Sequence, residues 1–167
     1  YEINNLINLF SIMKREGWTP EFVNQRIRDY IDDLPNREEF VYKTSKAGKY
    51  NKGDLKPAYQ ETIDKMERLK AAVAEFPRFQ ELMRKKSRYD FDDMIVWVLK
   101  AFEENKNLLA RYQEQFLYIL VDEFQDTSGT QNKLINMLIS YWDKPNVFVV
   151  GDDDGVGPEI AGAVGRR

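Results

Sequence analysis

The sequence predicts a mainly α protein with a small α/β part: a helical subdomain over residues 1–86, then a segment over 87–167 that contains a β-α-β unit. Three observations carry this reading. Apolar residues recur every three or four positions through most of the first hundred residues, short β-rich apolar runs stand at 117–121 and 146–150, and a helical pattern lies between those runs.

The first helix is expected over 1–16, where Ile3, Leu6, Ile7, Phe10 and Met13 fall on one face and Gly17 follows at a C-terminal cap position. Thr19 and Pro20 signal a second start, and Phe22, Val23, Ile27, Tyr30, Ile31 and Leu34 keep the period until Pro35. A third helix is expected from Pro57 to Glu75, with Ile63, Met66, Leu69 and Val73 inward and Pro77 closing it. Asp90 caps a further helix that buries Met94, Ile95, Val98, Leu99 and Phe102, and Phe91 and Trp97 are also expected in the core. Asp90 and Asp93 are read as capping residues.

Leu117–Val121 and Asn146–Val150 read as parallel strands joined through a helix, with Leu134, Ile135, Leu138, Tyr141 and Trp142 inward. Ser128 and Gln131 have the spacing of a capping box at that helix's start. Apolar strands of this kind belong to sheets covered on both faces, which two strands cannot form alone. Either further strands come from elsewhere in a longer protein, or this end is exposed.

Composition narrows the chemistry. The chain has 167 residues and neither Cys nor His, which excludes disulfides, thiolate metal sites and imidazole catalysis. A net charge of -3 offers no global attraction to nucleic acid, so binding to a polyanion needs a local basic patch. One exists at 43–56, where Lys43, Lys46, Lys49, Lys52 and Lys56 face a single acid, Asp54. Two readings stand: a solvated surface loop, or a loop that tracks phosphates, with Tyr50 available to stack on a base. The chain shows no 18-residue apolar run and no leader pattern, so no membrane association is expected and a reducing cytoplasm is the expected location.

Both acidic clusters, VDEFQD and VGDDD, follow parallel strands at their carboxyl ends, where open α/β sheets bind ligands. Clustered carboxylates there suit Mg²⁺ on a nucleotide's phosphates, or they cap the next helix and lie in solvent.

VDEFQDTSGTQ after the apolar LYIL, with VFVVGDDD some twenty residues on, resembles motifs II and III of the UvrD/Rep family of superfamily 1 ATP-dependent DNA helicases. YDFDDM and ARYQEQFLYILVDEFQDT are similar to the same family, so the clearest likeness covers about residues 88–154. Residues 1–86 resemble the family's 1B insertion subdomain, and 87–167 part of its RecA-like motor domain 1A. The resemblance implies Mg²⁺ and ATP as cofactors, with Asp122 assisting the metal and Glu123 polarising the water that attacks the γ-phosphate. Gln125, Asp126 and Asp152 are implied to couple the nucleotide site to neighbouring motifs. Single-stranded DNA or a single/double-strand junction, and the remaining helicase domains, are the implied partners.

The likeness breaks in two places. After GDDD the family continues with Gln-Ser-Ile-Tyr, an aromatic and Gly-Ala, whereas this chain reads GVGPEIAGA, with Gly155 in place of the phosphate-sensing Gln and Pro158 and Ile160 at aromatic positions. None of the nine glycines lies in a G-x-x-x-x-G-K-[ST] loop, so the resemblance implies an internal piece of a helicase that does not hydrolyse ATP by itself. Two other readings remain: a stand-alone, ATPase-inactive nucleic-acid or partner-binding module of helicase descent, and a metal-dependent enzyme that uses the acid pair as nucleases do.

Overall fold

The computed structural model describes residues 2–152; the altered run at 155–163 lies outside the described residues. Contacts divide the chain into two compact units, one made of residues up to Phe10 together with Trp18–Arg88, the other of Ser11–Gly17 together with the residues from Tyr89 onward. Among the described residues no helix is long and apolar enough to cross a membrane.

The first unit takes the opening part of α1 (Glu2–Glu16), then α2 (Pro20–Asp33), 3-10 turns at Leu34–Asn36 and Glu38–Phe40, α3 (Pro57–Ala74) and α4 (Phe76–Lys85). The start of α2 is fixed as its sequence suggests: Thr19 Oγ1 accepts the Phe22 N–H at 3.2 Å, and Pro20 occupies a position that needs no donor. Phe10, Val23, Ile27, Leu34, Phe40, Val73 and Phe76 form the buried apolar set, with the Phe10 ring 5.4 Å from Phe76 and 5.0 Å from Phe79. Of the predicted α1 face, Ile3 and Ile7 stay exposed. α3 ends at Ala74, close to the expected Glu75, but a helix the sequence did not announce begins at once. Glu75 serves as the C-cap of α3 and the N-cap of α4, and Pro77 sits in the first turn of α4, where a missing N–H costs nothing.

The lysine-rich segment is more ordered than a loop. Residues 41–56 form a small antiparallel hairpin, with bridges Val41↔Leu55 and Lys46↔Tyr50 and the Tyr42 N–H donating to Asp54 O at 3.0 Å.

The second unit takes the end of α1, then α5 (Phe91–Glu104), α6 (Lys106–Gln115), β1 (Ile119–Val121), a 3-10 turn at Phe124–Asp126, α7 (Gly129–Ile139) and β2 (Val147–Val149). Its buried apolar residues include Met13, Leu99, Phe102, Leu109, Phe124 and Ile139. Gln113, also buried, donates from Nε2 to the Met137 carbonyl at 2.7 Å, so α6 is tied to the end of α7 by a satisfied polar contact.

Asp90 and Asp93 make a reciprocal capping box at the start of α5, each carboxylate accepting the other's N–H at 3.0 Å. They also hold Lys14, 4% exposed, whose Nζ donates to Asp90 Oδ2 at 2.8 Å and to Asp93 Oδ2 at 2.9 Å. Burial opposes the charge on Lys14, but the two carboxylates outweigh it and raise its pKa. Burial likewise opposes the charge on Asp90, and its hydrogen bond to Lys14 leads the contacts that hold its carboxyl below the ordinary value.

Several expected core residues are not in the core. Phe91 is 83% exposed and Trp97 50%, and Met94 and Val98 are exposed as well. Tyr141 and Trp142 also lie at the surface because α7 ends at Ile139, before the inward stripe reaches them.

The strands pair in parallel, Ile119↔Val147, Leu120↔Phe148 and Val121↔Val149. Alternation turns Leu120 and Phe148 to one face, where they are 76% and 63% exposed, while their neighbours are half-buried. Within the described residues this sheet face is uncovered, which fits either reading of the sequence.

Candidate functional site

A strand that ends in acids needs a turn that holds them apart, and the chain makes one immediately after β1. The ladder continues one step past the strands: the Val150 N–H donates to Val121 O at 2.8 Å and the Phe124 N–H to Val150 O at 3.0 Å. Between these two anchors Asp122 and Glu123 bulge into solvent. Glu123 adopts the left-handed conformation, φ 50° and ψ 47°, which an L side chain takes at a cost of about 1–2 kcal/mol. Burial of Phe124, 3% exposed, secures the next residue and so sustains the turn.

The side chains are ordered by hydrogen bonds. Asp122 Oδ1 accepts the Glu123 N–H at 3.0 Å, which orients this exposed carboxylate. Gln125 spans the turn: its Nε2 donates to Glu123 Oε2 at 2.6 Å, and its Oε1 accepts the Asp152 N–H at 3.1 Å. The sequence-derived residues Asp122, Glu123, Gln125 and Asp152 therefore meet at the carboxyl ends of the two strands. Asp126 lies on the following 3-10 turn with its carboxylate exposed, and its N–H donates to Glu123 O at 2.9 Å.

Gly151 is a site residue that sequence reasoning missed. A Cβ there would lie 2.4 Å from Gln125 Oε1, 3.0 Å from Phe124 N and 3.3 Å from Gln125 N. Only a residue without a side chain lets β2's end approach the turn this closely. Its signal was present in the sequence, a glycine placed between an apolar strand and acids.

Behind the turn, the Thr127 hydroxyl sits 2.6 Å from Phe124 O and 2.9 Å from Asn132 Oδ1, and Ser128 and Gln131 complete the expected capping box. The α7 N-terminus also receives the Glu16 carboxylate, whose Oε2 accepts the Gly129 N–H at 3.0 Å, while Thr130 Oγ1 donates to Arg15 O at 2.8 Å. A carboxylate at a helix N-terminus opposes the positive end of the helix dipole. This anchor, 113 residues distant in sequence, carries no local signal.

The five lysines of 43–56 divide into two groups. Lys43 pairs with Glu38 and holds that carboxyl below its ordinary pKa. Lys56 donates to the Glu39 carbonyl at 2.7 Å and lies 6.0 Å from the Tyr42 ring centroid. Lys46, Lys49 and Lys52 are exposed, and among the described residues no acid pairs with them. Tyr50 stacks on Tyr42, with centroids 3.7 Å apart and planes 8° from parallel.

Comparison with known proteins gives this geometry its context. The family model described as the UvrD/REP helicase N-terminal domain matches residues 2–156. The chain is 35% identical over 97 residues to the ATP-dependent DNA helicase PcrA of Leuconostoc citreum, covering 58% of this chain and 12% of that protein. It is 40% identical over 79 residues to the putative ATP-dependent DNA helicase YjcD of Bacillus subtilis, covering 47% and 10% respectively. A Staphylococcus aureus ATP-dependent DNA helicase PcrA is 36% identical over 97 residues, covering 58% and 13%. The matched stretches thus amount to between a tenth and an eighth of the length of these relatives. Since the matched span runs through both strands and the turn that joins their ends, the chain belongs to the UvrD/REP helicase N-terminal domain family.

Proposed function

We propose that this chain is part of an ATP-dependent DNA helicase in which the β1–α7 turn serves nucleotide hydrolysis. The observation that carries the reading is the Glu123–Gln125–Asp152 chain of hydrogen bonds at the carboxyl ends of parallel strands. Open α/β sheets bind ligands at that edge.

The donor set fits a magnesium nucleotide. Mg²⁺ is held by one or two carboxylates together with water and phosphate oxygens, and Asp122 offers one exposed, oriented carboxylate. When bound, the metal supplies charge neutralisation on the phosphates. Asp122 is the residue that would hold it. Glu123 orients and polarises the attacking water, with its carboxylate steadied by Gln125. Through the Asp152 N–H, Gln125 registers where the end of β2 lies, which is the coupling role proposed for Gln125 and Asp152; Asp126, one residue on, holds the 3-10 turn.

Residues 1–86 are proposed as the 1B-like subdomain and 87–167 as part of motor domain 1A. DNA, as a single strand or a single/double-strand junction, and the other helicase domains are the proposed partners, in the cytoplasm. By itself the chain is inactive, because no backbone cradle for the β- and γ-phosphates is among its motifs. The test is to assay the 167-residue chain and the gene's complete product for Mg²⁺-dependent, DNA-stimulated ATP hydrolysis. Turnover in the complete product, lost in Glu123→Gln with nucleotide binding retained, is expected. A complete product that never hydrolyses ATP sinks the helicase reading, and turnover by the isolated chain that vanishes in Glu123→Gln sinks the claim of inactivity.

A further inference from the structure

The lysine-bearing segment is built as a hydrogen-bonded hairpin finger rather than an open loop, and its construction bears on what it can bind. Backbone bonds close it at three levels: Lys56 N–H to Phe40 O at 2.8 Å, Gly53 N–H to Tyr42 O at 2.9 Å, and Lys46 N–H to Tyr50 O at 2.8 Å. Side-chain contacts add to these bonds, one within an arm and two across the hairpin. The Lys52 N–H donates to Ser45 Oγ at 2.8 Å, the Asn51 N–H to Asp54 Oδ2 at 2.6 Å, and the Tyr42 and Tyr50 rings stack across the hairpin. The tip turns at Gly48, whose φ of 71° suits glycine.

Charge is sorted along this finger. Lys43 is spent on Glu38, Lys56 on backbone carbonyls, and the carboxylate of the one acid, Asp54, on the Asn51 N–H. What the finger presents outward is Lys46, Lys49 and Lys52, three exposed ammonium groups carried on a backbone that is already ordered. Preordering removes the conformational cost that a floppy loop would meet on binding.

The aromatic arrangement limits one mode of recognition. Proteins that grip single strands expose aromatic faces on which bases stack. Here the only two rings of the finger stack on each other at 3.7 Å, and the half-buried Tyr50 has one face covered. The exposed lysines outnumber the ring faces left open, and lysines contact phosphates, which position a protein on nucleic acid without reading sequence.

We infer that the 41–56 hairpin is a docking finger for the sugar-phosphate backbone of double-stranded nucleic acid, gripped by Lys46, Lys49 and Lys52 without base stacking or sequence preference. The inference rests on the helicase reading only for the choice of nucleic acid as the polyanion, and it needs no nucleotide.

The experiment measures binding of the 167-residue chain, without ATP, to labelled duplex and single-stranded DNA of several sequences across a salt series. Expected is sequence-independent binding that favours duplex and weakens with salt. Replacing Lys46, Lys49 and Lys52 together by Ala should reduce the steepness of log K against log[salt] by about 2.7, three contacts at about 0.9 each. The triple Arg replacement should keep both affinity and slope, and Lys43→Ala should change the slope by less than one contact's worth. No duplex binding by the wild-type chain, an unchanged slope in the triple Ala variant, or tighter single-strand binding with base preference would each overturn the inference. Because hydrolysis is not measured here, failure of the finger is distinguishable from failure of the Glu123 assignment.

Discussion

Gln125 holds the Glu123 carboxylate with its amide nitrogen, 2.6 Å from Oε2, while the other end of the same amide accepts the Asp152 N–H. One side chain thus joins the acid that ends β1 to the backbone that ends β2. Replacing Gln125 with Leu keeps the bulk and removes both bonds. Expected is faster hydrogen exchange at the Asp152 amide and a loss of about 1 kcal/mol, the net worth of such a contact. Amide exchange followed by NMR reads this directly, and an equally protected Asp152 amide in the variant would rule out the bridge.

Gly151→Ala tests the close approach from the other strand. The new methyl meets Gln125 Oε1 at 2.4 Å, a flexible group, and also Phe124 N at 3.0 Å, which is backbone. The side chain can swing away but the backbone must shift, so a destabilisation of about 1–3 kcal/mol is expected in urea unfolding. Combining it with Gln125→Ser should recover part of that loss, because the first clash is then gone. Strictly additive effects would mean that the two residues do not press on each other.

The Lys14 cluster gives a pH-dependent prediction. Lys14 has a raised folded pKa, so its contribution is complete below the ordinary lysine value of 10.5 and is lost as pH climbs through the raised one. Asp90 has a depressed folded pKa, so its contribution is complete above the ordinary 3.8 and is lost as pH falls through the depressed one. Between those limits, Lys14→Met leaves two carboxylates facing each other without their cation and should cost about 1–2 kcal/mol, less than for a fully buried pair because the Asp90 carboxylate is half exposed. Outside that window the difference between variant and wild type should shrink on both flanks. Denaturation midpoints from pH 3 to 11 that ran parallel for the two proteins would contradict it.

The legible parts of this molecule are those whose signals are local. Thr19, Asp90 and Ser128 announced their helices because a cap and its partner lie three residues apart. The acids after β1 were legible as a candidate site because an apolar strand ending in carboxylates is itself a local pattern. The helix α4 escaped notice because proline ends one helix and begins another with equal ease, and Glu75 caps both.

Burial was less legible than periodicity. Phe91 lies in the same angular stripe of α5 as Phe102 but a full helix length away, at the first turn, and Trp97 lies about 120° round from it; Leu99 and Phe102 are buried while Phe91 and Trp97 are not. Periodicity shows that a helix has an apolar side, and packing partners elsewhere in the chain decide how wide that side is. The Tyr42–Tyr50 stack and the Glu16 anchor on Gly129 were unreadable for a related reason, since each joins residues whose proximity only the folded chain creates.

The left-handed backbone at Glu123 leads to an evolutionary conclusion. Folding stability alone favours glycine or asparagine at that φ, so a thermostability selection acting on this domain would drift toward replacing the glutamate. Glu123→Gly relieves the turn and deletes the carboxylate in a single step, which sets robustness against chemistry at one residue. Under the role proposed for Glu123, its carboxylate is what the strained turn is there to present.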